Sequence, residues 1–546
     1  EVKNVLGETV ESFDNQCGQV SFIHDSMGYM TKVTGAEGLA VSMSYDSAGR
    51  KIAQTDPDMG TSQYAYNALG ELTRQLDSKQ QAVDFEYDAL GRVSHRRELT
   101  GVDSLSDVFF TTVNHENTLY RAASPGKSQP SVVTYREGES GVIIHQRETS
   151  FESLGRVSGT STTIDGRQFY ERTTYDAYGR VFQQFDPSGN DHGLRYAYKH
   201  GHLSQLKEAR EGVNGVVYQN IQETDARGNV TIAELGNGVT AVASYDAASG
   251  HLTDLSAYDQ LGVELQRVDY LFDVLGNLKS RHDLSGSNDL EENFSYDHLN
   301  RLERVQITAP GLGISSPLET LALAYNAEGN ITWKSDVGSY SYGAGSAGPH
   351  AVTRAGAKSY TYDAKGNQLT GGARNITYTT YDKAASLTLG EHNTVFTYGI
   401  GNHRVKRENS VAGELDRVTV YLGNVEYITR ADGVALFKRY LGATAISTYY
   451  PASSNEQLAY LLKDHIGSIH TVLDERGLIT ARMHFSAFGE RQDADWQTPL
   501  DSFLYAPVND ITTRGFTGHE HVDTMGVIQM NGRIYDANLG RFLQAD

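Results

Sequence analysis

A six-residue string recurs along this chain, at a fixed interval in its first three copies and at drifting intervals later. Tyr45-Asp46-Ser47-Ala48-Gly49-Arg50 returns as Tyr66-Asn67-Ala68-Leu69-Gly70-Glu71 and Tyr87-Asp88-Ala89-Leu90-Gly91-Arg92, each 21 residues after the last. Further copies start at Phe151, Tyr175, Tyr245, Phe272, Tyr296, Tyr325 and Tyr362. A fixed period of this length marks a structure built from one repeated supersecondary unit. The string has a local mechanism. Asp at the first position of a type I turn and Gly three residues on suit that turn, and the carboxylate can accept from the backbone two residues ahead. A glycine at positive φ then forms the bulge that closes a hairpin. Asn300 stands where one copy should have Gly, and Asn tolerates the left-handed region better than most residues.

The flanks alternate. Val83, Phe85 and Tyr87 interleave with Asp84 and Glu86, and an apolar residue resumes after each turn, as at Val93, Val181 and Leu302. Period two means strands with one packed face and one wetter face. Each unit is therefore strand, turn, strand, and no stretch reads as a long helix. Stacked hairpins bury their faces only against neighbours, which predicts one continuous antiparallel sheet. A sheet much beyond ten strands must curl or split, and closure hides its edges.

Composition supports an all-β chain. Gly numbers 55 and Tyr 33 among 546 residues, against 18 Phe and 2 Trp, which suits many turns and many half-buried strands. Lys plus Arg is 47 and Asp plus Glu is 68, a net charge of −21 that disfavours nucleic acid and anionic lipid as general partners. No apolar run approaches the roughly 20 residues of a transmembrane helix. A lone Cys17 excludes a disulfide framework and a cysteine-cluster metal site. The chain opens on Glu1 and ends on Asp546 directly after a strongly patterned segment, and it reads as a piece of a longer polypeptide.

These repeats resemble the YD repeats of the RHS family, which includes bacterial polymorphic toxins, C components of insecticidal toxin complexes, type VI Rhs effectors and teneurins. The resemblance covers nearly the whole chain and sharpens from Tyr325 onward. Its most specific strings are Pro349-His350-Ala351-Val352, Gly515-Phe516-Thr517-Gly518-His519-Glu520-His521, Met530-Asn531-Gly532-Arg533-Ile534-Tyr535-Asp536 and Leu539-Gly540-Arg541-Phe542-Leu543-Gln544-Ala545-Asp546. The resemblance implies an all-β fold: a long antiparallel sheet of stacked hairpins spiralling into a hollow shell. Residues 1–385 would form the shell and 386–546 the RHS-associated core that plugs its end. It implies a secreted or secretion-delivered protein whose partners are its own C-terminal toxin and a delivery component. The alternative is a secreted or cell-surface module contacting glycans or a partner protein.

In the family the core cuts the chain by chemistry like that of an aspartic protease. Two close carboxylates cannot both ionise easily, so one keeps a proton while the other activates water. By motif match Asp546 is the first carboxylate and Arg533 the assisting arginine, with the second carboxylate in a later segment. The bland readings are a structural ion pair of Arg533 with Asp536 or a neighbour, and for Asp546 a turn aspartate in a frayed terminus. Phe542 and Leu543 are expected to anchor the last strand by burial, and Arg541 by pairing.

Other constellations point to structure. Asp464, His465 and Ser468 lie too close together for a hydrolase triad and read as a turn. His519, Glu520, His521 and Asp523 lack zinc-protease spacing. Asp56-Pro57-Asp58-Met59-Gly60 and Asp186-Pro187-Ser188-Gly189 read as turns without a catalytic role. No cofactor and no metal is expected.

Overall fold

A computed structural model describes residues 1–14, 18–108, 110–189, 191–210, 215–286, 289–309, 314–492, 496 and 506–545. The cysteine and Asp546 lie outside the described residues. One 43-stranded sheet runs from Val2–Lys3 to Ile479–Arg482, each strand antiparallel to the next in sequence. Among the described residues the only α-helix is the short Ala506–Ile511.

The repeat string forms the expected turn. The N–H of Gly91 donates to the carbonyl of Asp88 at 3.0 Å, and the Asp88 carboxylate accepts from the N–H groups of Leu90 and Arg92. Gly91 has φ 74°, Gly179 84° and Asn300 60°, all in the left-handed region. Pairing shifts by one residue between Val93 and His95, so each turn ends in a bulge.

That bulge explains the tyrosines. Tyr66 hydroxyl donates to the carbonyl of Lys51 at 2.9 Å, and Tyr87 to that of Leu72 at 2.8 Å. The same bond recurs from Tyr296 to Leu278 and from Tyr362 to Val352. Every acceptor sits opposite the preceding repeat's aromatic residue: Lys51 faces Tyr45, and Leu72 faces Tyr66. The repeat arginine completes the link, with the Arg92 guanidinium over the Tyr120 ring at 4.1 Å and Arg180 over Tyr198 at 4.2 Å. Hairpins that carry the tyrosine are therefore bonded to their predecessors by side chains as well as by the strand ladder.

Contacts between distant stretches reveal the winding. Asp58 meets His350, 292 residues on, and Lys79 meets Asp363, 284 on. Further along, Arg439 bonds Asp186 across 253 residues and His470 bonds Asp283 across 187. The sheet thus turns back over itself, and the interval falls from 292 residues at Asp58–His350 to 187 at Asp283–His470. Twist forces so long a sheet to coil, and the shrinking interval makes the coil a tightening spiral. Where the windings touch, repeat turns of the later one seat on the opposite turns of the earlier one. Lys79 donates to Asp363 at 2.8 Å and Lys365 to Asp77 at 2.9 Å, a reciprocal clasp.

After Arg482 the chain leaves the sheet and packs against it. A four-stranded sheet of Glu520–Val522, Val527–Gln529, Ile534–Asp536 and Arg541–Phe542 carries most of the last stretch. Val522, Val527, Ile534 and Leu543 bury against Ile376, Leu387 and Phe396. Leu539 packs with Val305 and Leu323, and Val508 with Tyr440 and Val472. One segment thus covers well-separated parts of the spiral, as a plug does.

Candidate functional site

The last strand positions the site. Leu543 N–H donates to the carbonyl of Ile534 at 2.9 Å, its carbonyl accepts from Gln368 N–H at 2.8 Å, and the side chain is 1% exposed. Gln544 turns its side-chain oxygen onto the N–H of Ile534 at 2.9 Å. Arg541 donates to the carbonyl of His350 at 3.1 Å and to Asn330 and Tyr342 at 3.3 Å, so the pairing expected of it is present. Phe542 departs from expectation. It is 39% exposed, because its ring serves as the platform for Arg533, whose guanidinium lies 4.1 Å from the ring centroid.

Arg533 does not pair with Asp536. That carboxylate is buried against Arg374 and accepts from Leu539 N–H at 2.9 Å. Arg533 instead lines a cavity of about 620 Å³ together with Gln544, Ala545, Gly366, Asp58 and His350. Burial, joined by the Arg533 charge, pushes the ammonium of Lys383 below its ordinary value; Lys383 donates to the carbonyl of Gly532 at 2.7 Å. Gly366 lets three stretches converge. A Cβ there would lie 3.1 Å from Ala545 Cβ and 3.2 Å from the carbonyl oxygen of Asp58, at φ 74°. The stretch leading to Asp546 therefore runs beside a turn of the first winding, along a cavity of mixed lining that holds a guanidinium. Such a place can bind a carboxylate or stabilise charge developing on a carbonyl oxygen.

The other sequence candidates are structural. Asp464 caps its turn through the N–H groups of Ile466 and Ser468, and Ser468 Oγ accepts from Thr517 N–H at 3.0 Å. His465 is packed against Tyr270, and burial pushes its imidazole pKa down. Glu520 is held by Arg404, Arg407 and Tyr421. Burial alone would raise its carboxyl, but the two guanidinium groups bring it down to about 2. His521 accepts from Phe516 N–H at 3.1 Å, and His519 bonds Thr517.

Sequence reasoning missed two groupings whose members lie far apart in the chain. Asp58 and His350 come together only through the winding. Asp283, His470 and His484 form the one cluster with metal-ligand spacing among the described residues. Asp283 accepts from His470 Nε2 at 2.9 Å, and His484 Nδ1 accepts from the Trp496 indole at 2.7 Å. The indole occupies the only lone pair on the neutral His484 ring, and burial holds that imidazole near a pKa of about 3. His484 meets His470 edge to face, with ring centroids 5.7 Å apart.

No protein-family model matches the sequence, and neither does any curated protein. Solved structures do. A crystal structure of TcdB2-TccC3-TEV superposes with a TM-score of 0.82 at 16% identity, over 100% of this chain and 30% of that one. The crystal structure of TcdB2-TccC3 without its hypervariable C-terminal region gives 0.80 at 16%, over 99% of this chain and 30% of that one. The Photorhabdus luminescens Tc holotoxin pore gives 0.75 at 15%, over 97% and 28%. This chain thus spans under a third of each of those chains. Its fold is that of an RHS/YD-repeat shell of the toxin-complex C-component kind.

Proposed function

We propose that this chain is the shell-forming region of an RHS-repeat toxin, enclosing and delivering a toxin segment that follows it in the polypeptide. The observation that carries the reading is the superposition of the whole chain on TcdB2-TccC3, including a form defined by the absence of a hypervariable C-terminal region. In this reading 1–385 build the wall and 386–546 act as the core, first completing the spiral and then plugging it. The partners are the enclosed toxin and a component of a delivery apparatus, and the protein works outside the producing cell. Among the described residues no helix is long and apolar enough to cross a membrane. The glycan-binding alternative needs free aromatic faces, and the repeat tyrosines are engaged by neighbouring carbonyls and arginines.

The core end contributes to self-cleavage in this proposal. Arg533 lies beside the strand that leads into Asp546, in a cavity that can take the chain beyond it. Asp546 would be one of two carboxylates sharing a proton, and Arg533 would steady the charge on the scissile carbonyl. The test is a gel of the polypeptide extended past Asp546. Wild type should run as two fragments and Asp546→Asn as one, with both shells folded. An intact wild-type chain, or normal cutting by Asp546→Asn, would falsify the assignment.

A further inference from the structure

We infer that His350, oriented by Asp58, is the proton donor to the leaving nitrogen in the cavity beside Arg533; this rests on the self-cleavage reading above. The pair joins two windings. His350 backbone N–H donates to Asp58 Oδ1 at 2.9 Å, and its ring Nδ1–H donates to Asp58 Oδ2. With Nδ1 committed to a carboxylate, Nε2 is the nitrogen left for chemistry, and among the described residues no partner is found for it. The same order of groups, carboxylate to Nδ1 and reacting atom to Nε2, orients catalytic imidazoles generally.

Two features separate this pair from the rest of the seam. The neighbouring contacts of the seam are the lysine–aspartate pairs Lys79–Asp363 and Lys365–Asp77, and the other histidine–aspartate pair between windings, His470–Asp283, is buried. At Asp58 the seam uses a histidine, still 34% exposed on its side chain, and both residues line the cavity with Arg533, Gln544 and Ala545. The pair is also tied to the last strand. The carbonyl of His350 accepts from Arg541, and Asp58 and Ala545 meet over Gly366.

The step balances as a hydrolysis. The carboxylate takes a proton from water, the water oxygen bonds to the scissile carbonyl carbon, and the C–N bond breaks. The leaving nitrogen receives a proton from Nε2 of protonated His350, and the carboxyl proton then restores the imidazole. One water is consumed, and an acid and an amine result.

The experiment uses the polypeptide extended past Asp546 and follows fragment appearance after refolding. His350→Ala should slow cutting about a hundredfold, and added imidazole should recover at least a tenth of the wild-type rate. Asp58→Asn, which keeps the shape of the side chain, should slow it less. Lys79→Met, which opens the seam outside the cavity, should leave the rate within twofold. Cutting by His350→Ala at the wild-type rate would overturn the inference, as would a slowing that imidazole does not relieve or that Lys79→Met reproduces. If His350→Ala does not fold, slowing by Asp58→Asn in a folded shell supports the inference and an unchanged rate overturns it. Blocked cutting in Asp546→Asn beside normal cutting in His350→Ala removes this inference alone. Normal cutting in Asp546→Asn removes the cleavage reading beneath it.

Discussion

Tyr87 donates its hydroxyl hydrogen to the carbonyl of Leu72, the residue that faces Tyr66 across the previous hairpin. The bulge after each repeat turn takes that carbonyl out of the regular ladder, and the next tyrosine supplies the missing donor. Tyr87→Phe keeps the ring and removes only the hydrogen bond. It should cost about 1 kcal/mol, read as a lower thermal midpoint. Tyr66→Phe should cost a similar amount, since Tyr66 makes the same bond to Lys51. No loss at either position would mean that water serves the carbonyl as well.

The turn glycines should sort substitutions by backbone and not by size. Gly91 sits at φ 74°, and the nearest atom to a Cβ there is a flexible Glu71 side-chain oxygen at 3.0 Å. Gly91→Val should cost roughly 1–3 kcal/mol through strain. Gly91→Asn should cost less than half as much, because Asn300 already holds φ 60° in the equivalent turn. Chemical denaturation of the two variants side by side checks the ranking, and equal losses would refute it.

How far the sequence speaks follows from the range of each interaction. The turn, its positive φ and the alternation beside it are settled within about six residues, so Asp88 and Gly91 announce them. The tyrosine bond spans 15 residues and hides inside a regular spacing. The winding has no local signature, because it sums small twists over many strands. Asp58 and His350 were therefore separate turn residues until 292 positions of sheet brought them together. Arg533 was legible by motif, but its setting on Phe542 was not, and an aromatic beside a chain end reads first as a burial anchor. Asp536 looked like the partner of Arg533 by proximity in sequence, whereas strand direction turns it to Arg374.

The seam clasp should show coupling. Lys79→Met and Asp363→Asn each remove one charge, and Asn keeps the oxygen that accepts from Lys365 and Asn367 N–H in the turn. A double-mutant cycle on thermal unfolding should give a coupling of about 1 kcal/mol between the two. Both side chains are partly exposed, at 21% and 10%, so the value should shrink in high salt. A coupling near zero at low salt would show that the windings are held together by packing alone.

Lys438 offers a test with a definite direction in pH. It is 2% exposed, its ammonium donates to the carbonyl of Asn509 at 3.1 Å, and burial brings its pKa down to about 8, with Glu426 opposing the shift. The unfolded chain keeps the ordinary value near 10.4. Between those values the unfolded state binds more protons, so stability rises with pH across that window. Below pH 8 the folded protein carries the full cost of a buried charge, roughly 3 kcal/mol by linkage. Lys438→Met has a similar volume and no charge, and it gives up one hydrogen bond worth about 1 kcal/mol. The variant should therefore melt above wild type at pH 7, and its advantage should vanish by about pH 10.5. Thermal melts of both proteins from pH 6 to pH 10.5 measure the difference. A variant less stable than wild type at pH 7 would show that Asn509 and Glu426 compensate the charge in full, and the expected rise of wild-type stability above pH 8 would then be absent as well.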